Sequence, residues 1–225
     1  MKKINKNFII GGCLFLLFTI FTVIVKFVDV QAIGPLCSKI GLAEFNELFL
    51  VDSTSKVWDL VSDLILVVSL TFACSFVVLG CVQVFKRKSI KKVDNNIFVI
   101  AGFFVAVVIV IVFFELVVVN CRPILENGEL VASYPSTHVL VSFSILMSGL
   151  IQLHKYYMKN CKMLVVADIL VAVISVLLVV SRLLSGVHWM TDIIGSLLIS
   201  GALIYIYNGV LETIKAKIEK NKTLD

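Results

Sequence analysis

Six stretches of this sequence, 8–28, 60–85, 97–119, 139–153 with its flanks, 163–181 and 189–211, are apolar over about the 20 residues that a helix needs to cross a bilayer. Hydrocarbon offers no partner to a backbone N–H or C=O, so a segment left in it must satisfy both within its own helix. That constraint predicts an all-α fold, a polytopic bundle of six transmembrane helices, with residues 1–225 as one membrane domain. The side chains agree. Only 16% of the residues are charged, against roughly a quarter in a soluble domain, too few to coat a chain of this size in water. The first stretch follows Lys2, Lys3 and Lys6, as the apolar part of a signal peptide would. It is longer than the roughly 7–15 residues of such a part, and no small-x-small cleavage site follows it, so a retained helix is expected.

Lysine and arginine give the orientation. Of 20 such residues, 15 fall before the first stretch, in the connections 86–92 and 155–162, and after Leu211. Only Lys39, Lys56, Arg122 and Arg182 fall on the opposite side, and Lys26 lies within the first helix. Cytoplasmic loops carry the excess of positive charge. Both termini are therefore expected in the cytoplasm, with 29–59, 120–138 and 182–188 outside. The net charge of +5 belongs to these loops and makes no case for nucleic acid as a partner.

The cysteines form no metal or redox pattern: Cys13, Cys74 and Cys81 sit within helices and Cys161 in a cytoplasmic turn, while Cys37 and Cys121 both fall outside and could pair. In the first external loop Ile40, Leu42, Phe45, Leu48 and Phe49 recur at helical spacing. They fit either an interfacial helix on the outer leaflet or a loop packed on the bundle. The tail after Leu211 reads as a charged continuation of the sixth helix.

Polar residues gather at the outer helix ends. The third helix runs out into Asn120-Cys121-Arg122-Pro123, the fourth is entered through Tyr134-Pro135-Ser136-Thr137-His138, the fifth ends in Ser181-Arg182 and the sixth begins at His188-Trp189-Met190-Thr191-Asp192. Guanidinium groups match phosphate oxygens two at a time. Ser136 or Thr137 stands where the fourth helix should be capped, and the free N–H groups there suit an anion. Asp192 follows His188 by four residues, one helical turn, so its carboxylate can hold the imidazole in one tautomer. His138, at the mouth of the fourth helix, is free to give a proton to a leaving oxygen.

These residues resemble the signatures of the type 2 phosphatidic acid phosphatases (PAP2). Pro135-Ser136-Thr137-His138 is similar to the second signature, usually PSGH. Ser181-Arg182, five residues, His188, three residues and Asp192 fit the third, SRx5HxxxD, at every fixed position. Arg122-Pro123 matches the end of the first, Kx6RP. The resemblance covers about residues 97–211. It implies that His188 attacks phosphorus to form a phosphohistidine with Asp192 behind it, and that His138 protonates the leaving group. It further implies that Arg122, Ser136 and Arg182, with the backbone N–H of Thr137, hold the phosphoryl oxygens, and that no metal or cofactor is needed. The sequence likewise has no carboxylate cluster suited to magnesium.

Two positions depart from the family pattern. Thr137 replaces a glycine, and Glu115 stands seven residues before Arg122, where the first signature has lysine. On a continuous helix that spacing is two turns, a rise of about 10.5 Å, so Glu115 is read as a carboxylate orienting Arg122 or Arg182 from behind. Protonation in a partly buried position, or a contact to a cationic or hydroxyl-bearing part of the substrate, remain the alternatives. The expected activity is a metal-independent phosphatase acting from the external side on a lipid phosphomonoester or diphosphate, of polyprenyl diphosphate or phosphatidate type. The rival is a catalytically impaired relative that binds anionic lipid headgroups. A transporter fits less well, because its polar groups gather near the midplane, and a soluble haloperoxidase is disfavoured by the apolar spans. Neither the lipid nor a homo-oligomeric state is written in the sequence.

The charge pattern generates a labelling prediction. In intact cells, a cysteine introduced at Glu126 should react with a membrane-impermeant maleimide and one at Ser89 should not. The reverse pattern would invert the orientation.

Overall fold

The structure, a computed structural model, describes residues 5–51 and 53–222; Lys2 and Lys3 of the charge argument lie outside the described residues. The helices are α1 (Lys6–Phe27), α2 (Ala43–Glu47), α3 (Lys56–Arg87), α4 (Asn95–Leu116), α5 (Thr137–Gln152), α6 (Cys161–Leu184) and α7 (Met190–Lys222). A π-helical turn, Leu153–Tyr157, extends α5. Every helix except α2 belongs to one of six spans long and apolar enough to cross a membrane, so the chain is a multi-pass membrane protein. No sheet forms among the described residues; three isolated bridges, such as Cys121 with Ala132, occur in the loops.

Helix starts follow local chemistry. The Asn5 carboxamide accepts from Asn7 N–H at the head of α1, and Asn160 does the same for Lys162 and Met163 at the head of α6, each satisfying donors that have no partner inside the helix. Two boundaries differ from the hydropathy reading. Helix α3 starts at Lys56, so its first two turns carry Asp59 and Asp63, and α4 ends at Leu116, short of Val117–Val119. Hydropathy marks the apolar part of a helix, whereas backbone bonding continues through a polar end wherever side chains find partners.

Packing inverts the naive hydrophobic order. The two least apolar spans, α5 with its extension and α7, are innermost, each half buried, while only 6% of the α6 window is buried. Lipid tails are as apolar as leucine, so no hydrophobic force drives such helices together; close approach of small residues and hydrogen bonds between helices do. Ser142, Ser144 and Ser148 of α5 and Ser196 and Ser200 of α7 are fully buried. A Cβ on Gly195 would stand 2.5 Å from the Tyr134 ring, and one on Gly149 would stand 2.2 Å from Phe72. Helix α7 packs on α1, α5 and α4, and α3 packs on α5 and α6.

The first external loop is the packed alternative, with only a five-residue helix. Its Ile40 is fully buried, and Asn46 donates to Gly41 O at 3.0 Å and to Thr191 Oγ1 at 3.1 Å. Gly41 N–H donates to Asn120 Oδ1 at 3.0 Å. Cys37 and Cys121 are both free thiols. A methyl group at Gly41 would meet the Val25 carbonyl oxygen at 1.6 Å, whereas one at Gly12 meets nothing within 4 Å. Gly41→Ala should therefore lower the thermal midpoint of the detergent-purified protein, by about 1–3 kcal/mol or more of overpacking, and Gly12→Ala should not.

Candidate active site

Helices α3 to α7 each bring one end to the same end of the bundle, and short irregular segments fix what those ends present. Between α6 and α7 the chain turns through Gly186, whose φ of +69° favours glycine. Ser185 N–H donates to Ser181 O and Gly186 N–H to Leu183 O. This turn delivers His188 to the head of α7. Its Nδ1 lies 3.3 Å from Asp192 Oδ2 and 3.2 Å from Ser133 Oγ. Asp192 Oδ2 also accepts the Trp189 N–H at 2.9 Å and the Ser133 hydroxyl. A carboxylate ringed by donors in this way assigns the imidazole proton to Nδ1, which leaves the Nε2 lone pair free. His188 Nε2 is buried and has no hydrogen-bond partner.

Both arginines point their charge at this ring. Arg182 is 1% exposed and is held from α3: its Nη1 donates to Asp59 Oδ1 at 2.7 Å and to Ser62 Oγ at 2.8 Å. Arg122 sits in a folded-back loop, where its N–H donates to Val131 O and Trp189 Nε1 fixes the preceding carbonyl of Cys121 at 2.7 Å. Its Nη1 pairs with Glu126 at 2.9 Å. Burial, then the positive charges of Arg182 and Arg122, hold the His188 imidazole well below its ordinary 6.5. An imidazole so placed stays neutral and nucleophilic.

Ser136 takes the cap position of α5, and its carbonyl accepts from Leu140 N–H at 2.9 Å, yet its buried hydroxyl makes no cap bond. Thr137 is the first helical residue and His138 the second. His138 Nε2 lies 2.8 Å from Asp63 Oδ1. Four polar atoms of this cluster, Arg122 Nε, Ser136 Oγ, Arg182 Nε and His188 Nε2, are buried without a partner. Leaving a buried donor unpaired costs about 1–3 kcal/mol. Three donors and one lone pair converging on one spot are matched by an oxyanion whose central atom accepts electrons. A small cavity lined by Arg122, Ser133, Thr137 and His188, with Glu115, opens there. Two larger hollows, an apolar crevice between α1 and α4 and a lysine-lined one at the opposite end, contain none of these groups.

Every residue singled out in the sequence thus lies at this end, but Glu115 does not do what was expected of it. It is exposed and, among the described residues, makes no ion pair with either arginine; Glu126 holds Arg122 instead. The physical reason is the early end of α4 at Leu116: residues 115 and 122 are not two turns apart on one helix. Ser133, Asp59, Ser62 and Asp63 were missed. Two aspartates four apart at the end of an apolar span were the available signal, since ionisable side chains in a membrane helix are costly unless they serve a partner. Among the described residues no group of three metal-ligating side chains gathers.

A family model described as the PAP2 superfamily matches residues 69–215. Among solved structures, the chain is similar to the crystal structure of the first transmembrane PAP2 type phosphatidylglycerolphosphate phosphatase from Bacillus subtilis, with a TM-score of 0.58 and 19% identity over 91% of this chain and 97% of that one. At that identity the likeness concerns the fold. No protein with a curated description matches.

The lowered pKa of His188 sets the sign of an acid-side prediction. A depressed value means that the ring binds its proton only below pH 6.5, so nucleophilic attack should stay undiminished as pH falls from 7 through 6.5. Rapid-quench measurement of phosphoenzyme formation checks this, and an acid limb centred at or above 6.5 would contradict it.

Proposed function

The chain belongs to the PAP2 superfamily, and from that membership and the geometry of its site we propose that it is a metal-independent lipid-phosphate phosphatase working through a phosphohistidine on His188. The observation that carries the proposal is the set of buried, unpartnered groups, Arg122 Nε, Arg182 Nε and Ser136 Oγ, around an equally unpartnered His188 Nε2. Donors fixed in a water-poor site stabilise developing charge on phosphoryl oxygens without reorganising. They supply the positive field that a metal supplies elsewhere.

In this reading the Nε2 lone pair of His188 attacks phosphorus while Asp192 retains the Nδ1 proton and balances the charge that develops on the ring. The phosphoryl oxygens rest on Arg122, Arg182, Ser136 and the N–H of Thr137. His138 gives a proton to the leaving oxygen, then takes one from the water that hydrolyses the phosphohistidine. A lipid substrate suits a site at the ends of apolar spans, where a headgroup can enter from the bilayer while its chains stay in hydrocarbon. The positive-charge bias supports an external site, so the substrates favoured are a phosphatidate-type monoester or a polyprenyl diphosphate.

Glu115 favours one rival, headgroup binding without turnover, because a carboxylate beside the cavity opposes an anionic substrate where the family has a cation. Phosphate release by the purified chain from a panel of lipid phosphates decides between them. Turnover is expected, undiminished by excess EDTA. It should be lost in His188→Ala, by a factor on the order of 10⁴ or more as when a nucleophile is removed from a triad, together with acid-labile phosphate on the protein. Headgroup binding without phosphate release would favour the rival, and full activity in the variant would end the mechanism.

A further inference from the structure

We propose that Asp63 is the positioning residue for His138: it holds the ring by Nε2 and thereby assigns delivery of the proton to Nδ1. The inference rests on the phosphatase reading above and deepens it. His138 Nε2 lies 2.8 Å from Asp63 Oδ1, which leaves Nδ1 as the nitrogen available to a leaving group. The residue before α3 is tied to the α6–α7 turn by Ser55 N–H donating to Ser185 O at 3.1 Å. The face of α3 that follows meets the site three times in two turns. Asp59 and Ser62 bind Arg182, and Asp63 binds His138. Spacings of three and four residues put all three on one side of the helix. All three precede residue 69, where the family match begins. The family model therefore assigns them nothing, and α3 forms a wall of the site that the signatures do not contain.

The chemistry balances as follows. When the P–O bond breaks, its electron pair goes to the leaving oxygen, which takes the Nδ1 proton and departs as an alcohol. The Nε2 proton stays in its bond to Asp63. The neutral ring then uses the Nδ1 lone pair to take a proton from the water that attacks the phosphohistidine. Phosphate leaves, and both histidines return to their starting states. A fixed second nitrogen keeps the ring from turning away between these two transfers.

The test exploits the leaving group. An alkoxide needs a proton as it departs and nitrophenolate does not. The full-length protein in detergent is assayed on a diacylglycerol phosphate and on p-nitrophenyl phosphate. Asp63→Asn is expected to lower kcat on the lipid ester by about 10- to 100-fold, a share of the roughly 10²–10⁴ that a general acid provides, and on the aryl ester by less than about threefold. Asp63→Glu, which keeps the carboxylate, should recover part of the loss on the lipid ester. In a His138→Ala background, Asp63→Asn should cost nothing further. Equal losses on both esters, no loss on either, or the full loss again in that background would each overturn the proposal. Absence of turnover by the unmodified protein would instead overturn the phosphatase reading, and this inference with it.

Discussion

In hydrocarbon a backbone N–H or C=O has nothing to bond to except its own helix, and the rest of this molecule is organised by that restriction. Six spans satisfy it. Irregular backbone is confined to their ends: the Gly186 turn, the folded-back loop around Arg122 and the first loop packed beneath Asn120. Side chains that need precise aim can be aimed only where the backbone is free to bend. The candidate site therefore sits at one end of the bundle rather than at its middle, and its groups arrive from five different helices.

Holding charge at that depth requires partners. Asp192 is fully buried, and one of its oxygens accepts from Trp189 N–H, Ser133 and His188. Arg182, almost as deep, lies against Asp59 and Ser62. A buried charge stripped of its partner costs several kcal/mol, so such pairs are interdependent. Each pair also leaves one atom uncommitted, Nε of the arginine and Nε2 of the histidine. The scaffold thus spends some donors on fixing position and keeps others for a ligand.

The interior that carries these groups is polar in a quiet way. Buried serines on α5 and α7 let the helices approach closely, and Ser196 Oγ donates to the carbonyls of Ser136 and Asp192. That hydroxyl links the head of α5 to the head of α7, so the segments presenting His138 and His188 are set relative to one another by a hydrogen bond rather than by hydrophobic packing. The most apolar helices face lipid, where they only need to be insoluble in water.

The sequence by itself determined the spans, because hydrocarbon selects on composition over some twenty consecutive residues and composition is local. It determined most of the site for a related reason: Arg122, Ser136, His138, Arg182, His188 and Asp192 lie within a few residues of helix ends whose shared side follows from counting spans. Tertiary structure alone decided who holds whom. Asp63 reaches His138 across 75 residues and Asp59 reaches Arg182 across 123, and no periodicity within α3 names those partners. It decided as well that Glu126, not Glu115, pairs with Arg122, because α4 stops at Leu116 and the folded-back loop, whose course is set by contacts with Trp189 and Val131, carries Arg122 out of helical register with residue 115. Spans are written in local hydrophobicity. Pairings depend on which helix end packs beside which, and that is fixed by the whole bundle at once.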